Sequence, residues 1–222
     1  MSASERPTTP DEPALASRAG LKLRHALQAF SLPVTGLTCA DFGCNAGGFT
    51  DVLLRAGAAK VFAVDTGYGT LAWRPRSDPR VVTMERTNAL HADRPEGGVD
   101  LVVFDLAWTP QRLAVPAALR WLRPGGRIVS LVKPHYELRD DQKSWLERGF
   151  LPHARVPEVV DRAQQHEPFH VAGRACTLGR LASGDRARGV REHLRAERSH
   201  LGAHAIDDLG HACVRKEPAL EP

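Results

Sequence analysis

The sequence contains few cysteines, no long apolar run and no apolar segment near its start. A transmembrane helix needs about 18 or more consecutive apolar residues, so a membrane-spanning protein is excluded. The first residues do not form a secretory signal, and we therefore expect a cytoplasmic protein. The 4 cysteines include no Cys-x-x-Cys pair, so we expect reduced thiols and no metal site.

Lysine is also scarce, because only five of the 30 lysine and arginine residues are lysines. Lysine can lose its proton in a buried site, whereas arginine stays protonated. A lysine that remains in an arginine-biased chain therefore points to a role that arginine cannot fill, and Lys22 and Lys133 are the two candidates. The net charge of +4 is compatible with a polyanionic partner but does not require one.

The chain is long enough for one globular domain with flanking segments. It has 222 residues, of which 42% are hydrophobic, and a chain of this size forms one core rather than two. Residues 1–15 lack apolar periodicity and are predicted to form a disordered leader. We expect the domain to span residues 16–183, and a charged, partly helical C-terminal tail to span residues 184–222.

Short apolar runs alternate with segments of helical periodicity within the domain. This alternation predicts an α/β fold of Rossmann-like type, with a mostly parallel, doubly wound sheet between two layers of helices. The predicted strands are 37–41, 60–65, 81–85, 99–105 and 127–133. Helices are predicted at 49–56, 140–148 and 157–165, from a cap at Ser17 to about residue 30, and from Pro110 onward. An antiparallel hairpin of 169–172 with 176–181 is predicted to close one edge of the sheet.

The segment after the first predicted strand has the pattern of a cofactor loop, because it reads DFGCNAGGFT over residues 41–50. A strand, a glycine-rich loop and a helix in this order place a nucleotide cofactor at the carboxyl edge of a parallel sheet. Asn45 takes the place of the second glycine of a dinucleotide fingerprint, and Asp41 brings a carboxylate to the ligand. Both features favour S-adenosylmethionine (SAM), which has an amino group, a sulfonium and no phosphate, over NAD.

An acidic residue also ends the second predicted strand. Asp65 stands where a carboxylate can accept hydrogen bonds from both hydroxyls of a bound ribose. NAD-dependent enzymes use an acidic residue at the same place, so Asp65 alone does not separate the two cofactors.

Five short motifs occur in order along the chain: SRAGLKL at 17–23, GGFTD at 47–51, DTGYG at 65–69, ERTN at 85–88 and LVKP at 131–134. With these motifs the sequence resembles the TlyA (hemolysin A-like) branch of the FtsJ-like RNA methyltransferases. The resemblance covers residues 16–137. It implies a Rossmann-like SAM-dependent methyltransferase that methylates a ribose 2′-hydroxyl in RNA, often ribosomal RNA.

The resemblance also implies roles for individual residues. It places Gly43, Gly47 and Phe49 beside SAM, Asp65 at its ribose and Asn88 near its adenine, and Asp41 belongs to the same cofactor set. Asp105 is expected between the cofactor and the target. The family uses a catalytic tetrad of Lys-Asp-Lys-Glu, and Lys22, Asp105 and Lys133 match its first three positions.

Two departures from the family pattern are expected. TlyA proteins usually carry an N-terminal S4-type RNA-binding domain, and only the short segment 1–15 precedes the resemblance here. The tetrad glutamate is expected in a late strand, where this chain has Cys176 instead. Glu137, which follows Lys133 closely, is a possible substitute but matches a different position of the family.

Two aromatic residues are candidates for RNA contacts. Trp108 follows Asp105 by three positions and either stacks on a base or packs against its own loop. Trp73 lies beside arginines in a predicted loop, where contact with RNA phosphates competes with a solvated surface.

Three other functions remain open from the residues alone. The chain could methylate a base or a small molecule, or it could be a non-catalytic relative that binds SAM or RNA without the fourth tetrad residue. An NAD-dependent oxidoreductase is disfavoured by Asn45 in the cofactor loop.

Overall fold

A computed structural model describes residues 14–165 and 211–216 of the chain, in which five α-helices and six β-strands occur. The helices are α1 (Gly20–Ala29), α2 (Gly48–Arg55), α3 (Trp73–Ser77), α4 (Gln111–Trp121) and α5 (Val156–Gln165). The strands are β1 (Thr38–Phe42), β2 (Lys60–Val64), β3 (Val81–Met84), β4 (Val99–Phe104), β5 (Leu122–Val132) and β6 (His211–Lys216). Short 3-10 turns cover Pro134–Tyr136, Asp140–Trp145 and His153–Arg155. No helix in these residues has the length and apolar character that a bilayer crossing requires.

The six strands form one sheet in the order β3-β2-β1-β4-β5-β6. Strands β1 to β5 are parallel, and β6 pairs with β5 in the antiparallel direction. From β1 the strands are added in one direction as β2 and β3 and in the other as β4 and β5, so the topology switches between β1 and β4. In parallel sheets a ligand crevice opens at such a switch point, outside the carboxyl ends of the strands. The predicted α/β fold with a mostly parallel sheet is therefore confirmed.

The sheet is covered by apolar clusters on both faces, as the continuous apolar strands predict. Alternate residues of β1 divide between them: Cys39 joins the cluster of α1 and α2, whereas Ala40 and Phe42 join the cluster of α4. In the second cluster the ring of Trp121 meets that of Phe42 edge-on, with 5.0 Å between centroids. The two apolar layers hold the strands in place, and the strands in turn position the residues that follow them at the carboxyl edge.

Several predicted boundaries differ from the structure for local reasons. Helix α1 begins at Gly20, and no side-chain hydrogen bond caps it, so the prediction that Ser17 caps this helix was wrong. The fifth strand was predicted to begin at residue 127, after the PGG sequence at 124–126, but β5 begins at Leu122 and includes that sequence. Leu122 pairs with Val99, and the register of pairing shifts after it. The predicted helix at 140–148 is only the 3-10 turn Asp140–Trp145.

The free side of β5 is covered by β6, a segment that we predicted to be part of a charged, partly helical tail. That prediction was wrong for residues 211–216, since Ser130 of β5 pairs with Cys213 and Val132 with His211. The hairpin predicted from 169–172 and 176–181 lies outside the described residues. So do the predicted leader up to residue 13 and most of the predicted tail.

Candidate active site

Three acidic residues and one lysine lie at the carboxyl edge of the parallel sheet. Asp41 is the penultimate residue of β1, Asp65 follows β2, Asp105 follows β4 and Lys133 follows β5. Parallel strands bring their carboxyl ends to one edge, so residues far apart in sequence meet there.

Asp105 lies between two lysines. Its Oδ2 accepts a hydrogen bond of 3.1 Å from Lys22 Nζ, and its Oδ1 lies 2.6 Å from Lys133 Nζ. The contact between Lys133 Nζ and Oδ1 is an ion pair whose geometry is not that of a hydrogen bond. Lys133 Nζ donates instead to the carbonyl oxygen of Leu106 at 3.2 Å. All three side chains are mostly buried, with 15–23% of each exposed. The structure thus brings together the three residues that the sequence singled out for catalysis.

Lys22 reaches this edge because α1 packs closely on the start of α2. A Cβ atom on Gly20 would lie 2.6 Å from the carbonyl oxygen of Gly48, a distance that real Cβ atoms do not show. A Cβ atom on Gly48 would in turn overlap Ser17 Oγ and lie 2.8 Å from the amide nitrogen of Gly20. Two glycines therefore let the helices approach, and this approach directs Lys22 toward Asp105.

Replacing Gly20 with alanine is expected to lower the free energy of unfolding by roughly 1–3 kcal/mol, because overpacking forces neighbours to shift. The added Cβ would meet backbone rather than a flexible side-chain end. Urea unfolding measures the change. Gln28→Ala, an exposed position of the same helix, is the matched control and should stay within about 0.5 kcal/mol of the parent. A Gly20→Ala protein as stable as the control would mean that α1 can move away from α2 at no cost.

Asp41 is a buried carboxylate that is only half satisfied. Its side chain is 1% exposed, and Oδ2 accepts hydrogen bonds from Thr50 N at 2.9 Å and Thr50 Oγ1 at 2.7 Å. Oδ1 has no hydrogen-bond partner among the described residues. Burial, helped by the nearby carboxylates of Asp105 and Asp65, raises the pKa of Asp41 to about 7, although the hydrogen bonds from Thr50 act to lower it. A cationic group is the ligand that such an oxygen favours.

Asp65 fixes the shape of the cofactor loop. Its Oδ2 accepts a hydrogen bond from Asn45 N at 2.8 Å, and its Oδ1 accepts one from Gly67 N at 2.7 Å. Each carboxylate oxygen can accept two hydrogen bonds, so one position on each remains for a ligand. The side chain is partly exposed at the edge, which suits contact with hydroxyl groups.

The glycines of the loop are required by the chain itself. Gly43 and Gly47 have φ angles of +80° and +86°, which side chains rarely adopt. A Cβ atom on Gly47 would lie 2.6 Å from Leu71 Cδ1 and 2.9 Å from Pro75 Cγ. Phe49 is buried in the apolar cluster that includes α1 and α2. These residues shape and support the loop, and any contact of Phe49 with SAM remains a prediction.

Asn88 lies in the turn after β3 and is exposed. Its Oδ1 accepts a hydrogen bond of 2.9 Å from Leu90 N, which leaves its amide NH2 to face solvent or a ligand. Its proximity to an adenine remains a prediction.

The glutamate that could replace the missing tetrad member is occupied elsewhere. Glu137 accepts hydrogen bonds from Gln111 N, the first residue of α4, at 2.8 Å to Oε1 and 3.1 Å to Oε2. The sequence did not predict this role, because the two residues come from different elements. Cys176 lies outside the described residues.

The two tryptophans differ in their surroundings. Trp108 is 82% exposed and has a φ of +57°, and its ring meets that of Tyr136 with 5.0 Å between centroids. Trp73 is exposed on the short helix α3, not in the predicted loop. The arginines beside it, Arg74 and Arg76, form ion pairs with Asp51 and Glu85, which weakens the prediction that they contact phosphates.

Sequence reasoning missed two buried polar residues of this region. Thr50 holds Asp41, and its position in the first turn of the helix after the glycine loop was a usable signal. Ser130 donates to Gln111 Oε1 at 2.7 Å across two elements, and no local pattern in the sequence marks that pair.

The described residues fit SAM as a ligand. Asp41 offers a buried oxygen for an ammonium group, and Asp65 offers lone pairs for ribose hydroxyls. Asp41 and Asp65 place two carboxylates beside the cofactor loop, which disfavours the pyrophosphate of a dinucleotide. The buried oxygen of Asp41, the glycine loop and the carboxylates therefore all favour a ligand that is a nucleoside with a positive charge and without a phosphate.

Comparison with known proteins identifies related sequences. Residues 15–149 match the model of the FtsJ-like methyltransferase family. The "16S/23S rRNA (cytidine-2'-O)-methyltransferase TlyA" of Mycobacterium tuberculosis (strain ATCC 25618 / H37Rv) is 38% identical over 217 residues, which are 95% of this chain and 80% of that protein. "Hemolysin A" of Brachyspira hyodysenteriae is 36% identical over 124 residues, or 54% of this chain and 52% of that protein.

A related fold also occurs among solved structures. A hemolysin-like structure from Streptococcus thermophilus superposes with a TM-score of 0.72 and 27% identity, over 96% of this chain and 70% of that one. A SAM-dependent methyltransferase from Mesorhizobium loti has a TM-score of 0.50 at 20% identity, covering 87% of this chain and 96% of that one, which concerns the fold alone.

Proposed function

The chain belongs to the FtsJ-like methyltransferase family, a SAM-dependent family, and we propose that it methylates a ribose 2′-hydroxyl in ribosomal RNA. The observation that carries the proposal is Asp105 held between Lys22 and Lys133 at the edge where SAM fits. The relative from M. tuberculosis is described as a cytidine-2′-O-methyltransferase, so we expect a cytidine as the target. With ribosomal RNA as its partner, we expect the protein to act in the cytoplasm.

The charges in the cluster support a proton-accepting role for one lysine. Two ammonium groups share the single carboxylate of Asp105, which can compensate only one of their two positive charges. If one ammonium loses its proton, a neutral ion pair and a free amine remain. A free amine beside a ribose hydroxyl can accept its proton, and this general-base assistance contributes about 10²–10⁴-fold to a rate.

The residues of the chain divide the remaining work. Bound SAM supplies an electrophilic methyl group on a sulfonium. We assign the ammonium end of SAM to Asp41 and its ribose to Asp65, and we assign Gly43, Gly47, Phe49 and Asn88 to the surrounding wall. Asp105 holds both lysines in place, which keeps the proton acceptor aligned with the hydroxyl group. The lysine would accept the hydroxyl proton as the ribose oxygen takes the methyl group that bound SAM would supply.

The direct test is transfer of a labelled methyl group from SAM to ribosomal subunits isolated from a strain that lacks this enzyme. Up to one methyl group per subunit should be incorporated, and nucleoside analysis should recover it as 2′-O-methylcytidine. A label on another 2′-O-methylnucleoside would keep the reaction and correct the target. Label on a base would overturn the role of the lysines, and no label on either subunit would overturn ribosomal RNA as the substrate.

A further inference from the structure

Gln111 connects, through hydrogen bonds, the loop that carries Asp105 with the segment that carries Lys133. It is the first residue of α4, six positions after Asp105, and it is 5% exposed. Its side-chain Oε1 accepts a hydrogen bond of 2.7 Å from Ser130 Oγ, which is buried in β5. Its backbone N–H donates to the carboxylate of Glu137. Lys133 lies between Ser130 and Glu137 along the chain, so both ends of its segment are tied to the same residue.

The segment between Lys133 and Glu137 is a short, hydrogen-bonded spacer. Tyr136 N donates to Lys133 O at 2.9 Å, and Glu137 N donates to Pro134 O at 3.0 Å, which closes the 3-10 turn. Arg162 of α5 donates to Glu137 O at 3.2 Å from the other side. These hydrogen bonds hold the backbone of Glu137 in place. The Glu137 carboxylate, which accepts from Gln111 N, therefore holds the start of α4 in a fixed position relative to Lys133.

The start of α4 needs such a partner. Pro110 precedes the helix and provides no side-chain cap, so the first N–H groups depend on other residues. A carboxylate at a helix N-terminus is also favoured by the helix dipole. Glu137 provides both a hydrogen-bond acceptor and a negative charge at the start of α4, and it thereby fixes the end of the loop that runs from Asp105 to Pro110. In the same loop the carbonyl oxygen of Leu106 accepts a hydrogen bond from Lys133 Nζ.

We propose that Glu137 is a positioning residue, which clamps the Asp105 loop to the Lys133 loop through Gln111 and so sets the geometry of the lysine cluster. This inference rests on the proposed methyl transfer. It assigns Glu137 a hydrogen-bonding role at α4 and not the role of a fourth catalytic carboxylate. The two roles differ in how strongly they depend on charge, because a cap needs mainly an acceptor oxygen and gains little more from the charge, whereas a catalytic carboxylate needs its charge.

Glu137→Gln and Glu137→Ala separate the two roles. Glutamine keeps an oxygen that can accept from Gln111 N, and alanine removes it. For Glu137→Ala we expect kcat to fall at least tenfold while KM for SAM stays within about twofold. Glu137→Gln should keep at least a third of the parent kcat. Glu158→Ala is the matched control, because Glu158 is an exposed acid on α5 whose ion pair is with Arg155, and it should leave both constants unchanged.

Three outcomes would overturn the inference. Equal loss in Glu137→Gln and Glu137→Ala would mean that the charge is needed. An unchanged kcat in Glu137→Ala would mean that the clamp is unnecessary, and a rise in KM for SAM that matches the fall in kcat would indicate general damage to the fold.

Amide hydrogen exchange keeps this inference separable from the proposed function. In Glu137→Ala the backbone from 106 to 111 should exchange at least tenfold faster than in the parent, and in Glu137→Gln it should exchange within about threefold. This readout needs no RNA substrate, so it holds even if ribosomal subunits receive no methyl group. Unchanged exchange in Glu137→Ala would contradict the clamp directly.

Discussion

Lys133→Arg is expected to lower methyl transfer to RNA by about 10²–10⁴-fold, the size of a lost general-base contribution, with SAM affinity unchanged within about threefold. Lys133 Nζ lies within 3.4 Å of three acceptors, which are Asp105 Oδ1 and the carbonyl oxygens of Asp105 and Leu106. Arginine is longer and planar and cannot give up its proton, so it neither fits these acceptors nor forms a free amine.

Single-turnover methyl transfer with saturating SAM measures the loss, and isothermal titration calorimetry measures SAM binding. Lys22→Arg should show the same pattern, since Lys22 contacts the other oxygen of Asp105. Lys143→Arg is the matched control, because Lys143 is 66% exposed and its ion pair is with Asp140 of its own helical turn. Full activity in Lys133→Arg would refute a role that requires lysine.

Asp41→Asn is expected to weaken SAM binding by about 10- to 100-fold, because a charge-assisted hydrogen bond contributes roughly 1.5–3 kcal/mol. The same change should stabilise the protein without ligand at neutral and alkaline pH. Asparagine keeps an oxygen for both bonds from Thr50, and it removes a buried charge whose Oδ1 has no hydrogen-bond partner in the described part of the chain.

The stability effect has a defined pH dependence. Burial raises the pKa of Asp41 from 3.8 to about 7, so between these values the folded protein holds a proton that the unfolded chain has lost. The contribution of Asp41 to stability is therefore greatest below about pH 4, falls as pH rises to about 7 and then stays constant. The asparagine side chain of the variant does not titrate, so the advantage of Asp41→Asn should grow over the same interval to a few kcal/mol, on the order expected for a shift of this size.

Thermal unfolding of both proteins between pH 4 and pH 8, without SAM, tests this expectation. The difference in Tm should increase with pH and level off above about 7. Asp93→Asn, at an exposed position in the loop before β4, should follow the parent at every pH. If Asp41→Asn binds SAM as tightly as the parent, the free oxygen of Asp41 does not face the ligand.

Most residues at the carboxyl edge of the sheet could be predicted from the sequence, because they are the residues that follow the predicted parallel strands. Each of the predicted residues Asp65, Asp105 and Lys133 comes directly after an apolar run, and parallel strands must bring those positions together. Lys22 is different, because it lies on a helix, and only the resemblance to a family connected it with Asp105.

The supporting contacts could not be predicted, because they join elements distant in sequence. The approach of Gly20 to Gly48 depends on how two helices cross, and the bond from Gln111 to Glu137 depends on where two loops end. Strand β6 was missed because its sequence, HACVRK, shows no alternation of apolar and polar residues, and its pairing comes from the free edge of β5. Local periodicity carries no information on either kind of contact.

The spacing of the contacts along the chain has a consequence for the order of folding. Thr50 is nine residues from Asp41 and Asn45 is 20 residues from Asp65, whereas Lys22 and Asp105 are 83 residues apart. Closing a longer loop costs more chain entropy, so contacts of short separation form first. We therefore expect the loop that holds the methyl donor to be organised before the lysine cluster closes.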